Sequence, residues 1–177
     1  MEWVDRILSA TGWDGMPGRL DWAGVESAVG TPLPEDFKGL CRYFSGGSFD
    51  DHLVLLEPEG ESESMAGNHE GLLASVRGNP ENRSVYRPYG LFGDSGAGSG
   101  AGLLQWGFSY IEDEYYWLAD ARTDPADWPV IAREDPLEGF HRFDMPASEF
   151  LHSVLTDPGF RPFTIAHKID RPFYRSW

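Results

Sequence analysis

The chain has one cysteine, Cys41, among 177 residues. An intramolecular disulfide is therefore excluded, and cysteine usage says nothing for secretion. Cations are scarce as well: 14 Lys and Arg face 29 Asp and Glu, leaving a formal net charge of −15. Nucleic acids and anionic membranes are held by clustered Lys and Arg, so this deficit excludes a general affinity for either. No apolar run is long enough to span a bilayer. The opening segment MEWVDRILSATG is acidic and amphipathic and lacks the basic start of a signal peptide, so a soluble, cytoplasmic protein is expected.

Patterns that carry chemistry are equally sparse. The histidines, His52, His69, His141, His152 and His167, include no i, i+4 pair of the zinc-binding type, and Cys41 has no cysteine partner. No metal and no cofactor is expected. Gly93-Asp94-Ser95-Gly96 matches the tetrapeptide around the nucleophile of trypsin-like serine proteases, but that chemistry needs a His base, a buried Asp and two barrels. The chain is short for two barrels, and the glycine run continuing to Gly102 suits a turn between strands. No Gly-Lys-Ser/Thr follows to make a phosphate loop, and Gly96 and Gly98 lack the third glycine of a dinucleotide fingerprint.

What is present is a foldable chain, 41% hydrophobic and 14% aromatic, with no internal repeat and no linker to a second domain. Its best-defined stretch runs from Asp21 to Phe49. Asp21 caps a predicted helix in which Trp22, Val25, Ala28 and Val29 repeat at helical spacing. Gly30 ends it, and Thr31-Pro32-Leu33-Pro34 is too proline-rich to continue it. Glu35 and Asp36 then open a second helix, where carboxylates suit the helix dipole. Phe37, Leu40, Cys41 and Phe44 form its apolar face, so Cys41 reads as a small buried hydrophobe. Gly46-Gly47 is its exit.

A short helix is predicted before this pair, over Met1 to Thr11. After it come strands at Leu53 to Leu56, Leu103 to Trp106, Tyr115 to Ala119, Trp128 to Ala132 and Phe140 to Phe143. Residues 57–71 read as an acidic loop with a short helix around Glu70 to Val76, and Tyr86 to Phe92 as a lead into a strand. Gly107 to Glu114 joins two strands as a hairpin. A last helix is predicted over Ala147 to Leu155. The basic, aromatic tail 160–177 is expected to pack back on a single domain spanning 1–159, with Thr164 to Ile169 as an edge strand.

The acids fall mostly in loops and turns. As solvated surface they keep a protein soluble. As an organised surface they present a negative face to a cationic protein. The most compact such block is Glu112 to Asp127, where acids mix with aromatics, the composition of binding hot spots and equally of a sheet core. Its candidate partner-binding residues are Glu112, Asp113, Glu114, Tyr115, Asp120, Asp124 and Asp127.

Trp22, Val25-Glu26, Gly30, Leu33-Pro34, Asp36-Phe37, Leu40 and Gly46-Gly47 form a pattern that resembles the SUKH superfamily, the Smi/Knr-type domain. More loosely, the strand at Leu53 to Leu56, Gly102 to Trp106 ahead of Trp117, and Phe143 to Leu151 continue it, so the resemblance spans Leu20 to Leu155. It implies an α+β fold, an antiparallel, strongly twisted sheet with an N-terminal helix pair and a C-terminal helix. Its signature residues here, Trp22, Glu26, Gly30, Leu33, Pro34, Phe37, Gly46, Gly47, Trp106 and Trp117, fix turns and core, so no catalytic residue carries over. It also implies function by binding. Bacterial members are similar to immunity proteins that neutralise a cognate toxin, often a nuclease, and eukaryotic relatives resemble regulators of cell-wall synthesis and signalling scaffolds. The expectation is a non-catalytic protein that binds a basic toxin domain. The alternatives are a regulatory scaffold without a toxin, or an enzyme using Ser95 or a carboxylate pair.

Overall fold

The computed structural model describes residues 2–60, 64–95 and 100–177. Glu61 and Glu63 of the acidic loop, and Gly96 and Gly98 of the glycine run, lie outside the described residues. The fold is α+β, with helices on both faces of a seven-stranded antiparallel sheet.

The stretch legible in the sequence folds as its local signals dictate. After α1 (Glu2–Thr11) comes α2 (Trp22–Val29), whose first turn is capped by the Asp21 carboxylate accepting from Gly24 N–H at 3.3 Å. Gly30 takes φ 85°, a left-handed conformation that costs glycine nothing, and its N–H returns to Glu26 O. The proline elbow is then pinned by Glu26, which accepts from Leu33 N–H at 2.8 Å and pairs with Lys38 at 2.6 Å. Burial opposes ionisation of Glu26, but the bonds from Lys38 and Leu33 outweigh it and hold the carboxyl below its ordinary range. Helix α3 (Glu35–Phe44) follows and buries Phe37, Leu40, Cys41 and Phe44.

The strands are β1 (Gly47–Phe49), β2 (Leu53–Leu55), β3 (Ala101–Ser109), β4 (Glu114–Asp120), β5 (Val130–Arg133), β6 (His141–Phe143) and β7 (Tyr174–Ser176). Their spatial order is β6-β5-β4-β3-β2-β1-β7. Alternation sends Leu104, Trp106, Tyr115, Trp117, Val130 and Ala132 to one face, with Phe37 of α3 and Phe150 of α5 (Ala147–Thr156). Leu103, Tyr116 and Ile131 go to the other face. A register shift between Gln105 and Gly107 puts an extra residue into β3, so Phe108 emerges on the second face opposite Val54.

The second face is covered by chain that reads as loop in sequence. Helix α4 (Met65–Gly78) is longer than the short helix expected around Glu70 to Val76 and begins five residues earlier. Its glycines weaken the helical signal, but Met65, His69, Leu73 and Val76 all face inward at helical spacing. Ser64 caps it through Gly67 N–H at 3.1 Å. A 3-10 helix at Pro80–Tyr86 continues the cover, ahead of the segment Tyr86 to Phe92 that was expected to lead into a strand. The segment after it makes only a single bridge, Leu91 to Leu103, beside β3 where β2 is too short to reach. Gly102 is required there, because any Cβ would meet the backbone of Leu91 and Phe92.

The tail is integral to the fold. Phe163, Ile165 and Tyr174 are buried in the main core, and β7 pairs antiparallel with β1. The edge strand is thus Tyr174–Ser176 and not Thr164 to Ile169. The Thr164 hydroxyl donates to Asp157 O at 2.6 Å and Ile165 N–H to Val154 O at 3.0 Å, which ties that segment to the end of α5. No helix among the described residues is long and apolar enough to cross a membrane.

Candidate partner-binding surface

Antiparallel order gathers three turns at one end of the sheet. The β1–β2 turn brings Asp50, Asp51 and His52, the β3–β4 turn Tyr110 to Asp113, and the β5–β6 loop Glu134 to Glu138. Asp50, Asp51 and Glu112 have φ of 54°, 50° and 78°, which lets both turns close tightly. Seven carboxylates belong to these three turns: Asp50, Asp51, Glu112, Asp113, Glu134, Asp135 and Glu138.

Some of these charges are spent internally. Arg175 of β7 holds Asp51 at 2.8 Å, and Asp135 accepts from Leu137 N–H at 2.7 Å. Asp113 is buried, accepts from the Tyr115 hydroxyl at 3.1 Å and lies 3.6 Å from His52 Nε2. Burial, and then the Asp113 carboxylate, pushes the Tyr115 phenol well above its ordinary range. Glu114 pairs across strands with Arg133, which is 1% exposed and also donates to the carbonyls of Val85 and Pro136. Exposed Glu112, Glu134 and Glu138 have no cationic partner among the described residues. Around them stand large apolar side chains left in water: Tyr110 at 56%, Ile111 at 59% and Leu137 at 95% exposure. An apolar centre with an unpaired acidic rim is the anatomy of a protein-binding surface.

Asp50 adds a titrating group to this end. Its Oδ1 accepts from Phe173 N–H at 3.1 Å, and its own N–H donates to Phe173 O at 3.0 Å, so it clasps the segment entering β7. Its Oδ2 is buried without a partner. Burial, against the lowering effect of the Phe173 bond, raises the carboxyl to about 6 from an ordinary 3.8. The folded chain therefore holds this proton more tightly than the unfolded chain. Its contribution to stability is full below the unfolded value, is lost as pH climbs to about 6, and stays lost at neutrality. Asp50→Asn keeps the acceptor and the tolerated left-handed backbone while removing the charge. After discounting for partial exposure, a gain of about 1 kcal/mol is expected at pH 7, or about 2–4 °C in Tm, fading towards pH 4. Thermal melts of both proteins at the two pH values check this, and an unchanged Tm at pH 7 counts against it.

The structure divides the acidic block singled out in the sequence. Glu112 reaches the turn tip, exposed. Asp113 and Tyr115 are buried in the first face, and Glu114 is half-buried in its Arg133 pair. Tyr115, at 0% exposure, is a core residue and not a contact residue. Asp120, Asp124 and Asp127 lie at the opposite end of β4, about 20 Å away along the seven-residue strand. Arg122 holds the Asp120 carboxyl down at about 2, and Asp124 caps Ala126 N–H. One patch spanning Glu112 to Asp127 is therefore not formed. Glu112 instead shares its end of the sheet with Glu134 and Glu138 of the β5–β6 loop. Tyr110, Ile111 and Leu137 are the contact candidates that sequence reading missed. The usable signal is the hairpin alternation itself, which puts every second turn at the same end.

Of the remaining candidates, Asp94 of the Gly-Asp-Ser-Gly segment is fixed by two hydrogen bonds from Arg83 at 2.7 and 3.1 Å. Among the described residues no group of three or more His, Cys, Asp or Glu is placed to hold a metal ion. Comparison with known proteins finds no matching family model, no matching curated protein and no matching solved structure.

Proposed function

We propose that this chain is a non-catalytic binding protein that docks a basic protein on the acidic end of its sheet. The partner in this reading is a toxin domain that the chain neutralises, as an immunity protein does. The observation that carries it is that unpaired Glu112, Glu134 and Glu138 and exposed Tyr110, Ile111 and Leu137 all belong to turns at one end of the sheet. Unpaired carboxylates steer a cationic partner into encounter, and desolvated apolar side chains then hold it. A net charge of −15 acts in the same direction over longer range. A toxin that cuts nucleic acid carries a cationic substrate groove, which an acidic surface fills in place of phosphates. The resemblance to SUKH immunity proteins supports this form of the reading.

A regulatory scaffold with no toxin partner is the second reading, and the exposed Leu137 and Ile111 favour it. The two differ in salt dependence, because apolar contact is not screened and charge pairing is. The deciding experiment uses the product of the neighbouring gene, tested first for toxicity. The triple variant Glu112→Lys, Glu134→Lys, Glu138→Lys is expected to bind it about a hundredfold more weakly at low salt, with the gap narrowing as salt rises. All three side chains are exposed, so circular dichroism of the variant is expected to be unchanged. Equal binding by both proteins, or a neighbouring product that is not toxic, removes the immunity reading.

A further inference from the structure

We propose that the cavity enclosed by the end of α4, the 3-10 helix and the segment after it binds a small aromatic carboxylate, one ring bearing one negative charge. The cavity belongs to the second sheet face and shares no residue with the acidic end. Its volume is about 200 Å³. Drug-sized ligands occupy pockets of roughly 300–1,000 Å³, whereas a cavity of about 150 Å³ admits benzene. A single ring with a short substituent therefore fits, and a nucleotide does not.

The lining suits a ring. Val76 and Leu91, both buried in the second core, give it an apolar part. Tyr86, Pro88 and Tyr89 add three ring-bearing side chains. Aromatic rings receive an aromatic guest edge-to-face or offset-stacked, which adds to the effect of the buried area. The two tyrosines are held from behind: Tyr89 packs edge-on against Phe140 at 5.8 Å, and the Arg133 guanidinium lies 5.8 Å from the Tyr86 ring centre. The backbone is fixed as well. Tyr89 and Gly90 N–H both donate to Tyr86 O, at 3.1 and 2.8 Å, and Leu103 N–H donates to Gly90 O at 2.8 Å, fastening the loop to β3. Asn82 Nδ2 donates to Ser75 Oγ at 2.9 Å, tying the 3-10 helix to α4. A ligand entering a preformed site loses little affinity to ordering the chain.

The charges select an anion. Asp94, with its side chain 2% exposed, accepts from Arg83 Nε and Nη2 at 2.7 and 3.1 Å. That pair cancels its own charge and fixes the Arg83 guanidinium in the lining, with Nη1 free of any hydrogen bond among the described residues. Arg87 lines the same cavity and makes no ion pair among the described residues. The cavity therefore carries one net positive charge inside a chain of net charge −15. A single carboxylate neutralises it, and guanidinium N–H groups match a carboxylate in geometry as well as charge. A cationic ligand meets Arg87 and finds the one acid of the lining already taken by Arg83.

The test is titration of the intact, isotope-labelled chain with benzoate, followed by amide NMR shifts. The shifts are expected within residues 76–94. Three comparison ligands separate the contributions. Benzyl alcohol keeps the ring without the charge, acetate keeps the charge without the ring, and benzylamine reverses the charge. Benzoate is expected to bind about tenfold more tightly than any of them. Arg87→Gln is expected to weaken benzoate about tenfold and to leave benzyl alcohol unchanged. Arg87 is exposed, so the thermal melt of the variant is expected to be unchanged. The proposal is overturned if acetate binds as well as benzoate, since the cavity then takes anions without reading a ring. It is overturned equally if benzyl alcohol binds as well, or if Arg87→Gln binds benzoate as the parent does. Shifts confined to residues outside 76–94, or none at about 20 mM benzoate, also overturn it.

Discussion

Arg133→Ala is expected to destabilise the protein by about 3–5 kcal/mol, the range for breaking a buried ion pair from one side. The guanidinium is 1% exposed and sits at the centre of a closed set of contacts. It pairs with Glu114 on the neighbouring strand and donates to Val85 O at 2.8 Å and Pro136 O at 3.1 Å. It also lies 4.6 Å from the Phe140 ring centre and 5.8 Å from that of Tyr86. Removing it strands a half-buried carboxylate and two carbonyls and leaves a hole between aromatic rings. The damage is directional, because Val85 belongs to the 3-10 helix that covers the second face and Pro136 to the loop presenting Leu137. Urea denaturation measures the total, and limited proteolysis is expected to cut first around Pro80–Tyr86. Arg133→Met keeps much of the volume and is expected to lose less. A loss below about 1 kcal/mol for Arg133→Ala means that solvent already screens the pair, as it does at surfaces.

Phe150→Ala is expected to cost a similar amount, about 3–5 kcal/mol, by a different route. Phe150 is fully buried on α5, and its ring lies within 6.0 Å of Trp106, Tyr115, Phe143, Phe160 and Phe163. Those rings come from β3, β4, β6 and the tail, so a single side chain joins the last helix to the sheet and the tail to both. The loss combines buried area with edge-to-face ring contacts, and the rigid neighbours leave little room for the site to collapse. At about 2–4 °C per kcal/mol for a chain of this size, a fall in Tm of about 10 °C is expected. Phe150→Leu fills most of the space and is expected to recover more than half of it. If Phe150→Ala falls by less than about 1 kcal/mol, the ring cluster is looser than its distances imply.

The helix–elbow–helix stretch from Asp21 to Phe44 was legible because each of its signals is local. An Asp cap, a left-handed Gly30, two prolines and paired acids at a helix start act within a few residues of one another. Strand alternation was readable for the same reason. The binding surface was not. Glu112 and Glu138 share one end of the sheet only because β4 and β5 run antiparallel side by side, a relation that spacing along the chain does not encode. Tyr110 and Tyr115 fall in one short stretch of acids and aromatics, yet one is solvent-exposed and the other is core. Parity along the hairpin decides between them, and parity is set by the extra residue at Trp106–Gly107 and by where the turn falls.

The sequence by itself determined the elbow, the core strands and the scarcity of cations, all of which follow from short-range chemistry and composition, while the α+β class was what the family resemblance implied. The tertiary structure alone decided three further things. It converted the polar, glycine-bearing chain from Ser64 to Tyr86 into cover for the second face, because a weak helix is stabilised once its apolar side meets a sheet. It buried Arg133, because a charge can be enclosed only where partners from distant segments meet it. It also gathered three acidic turns at one end, because antiparallel strand order brings every second turn to the same side.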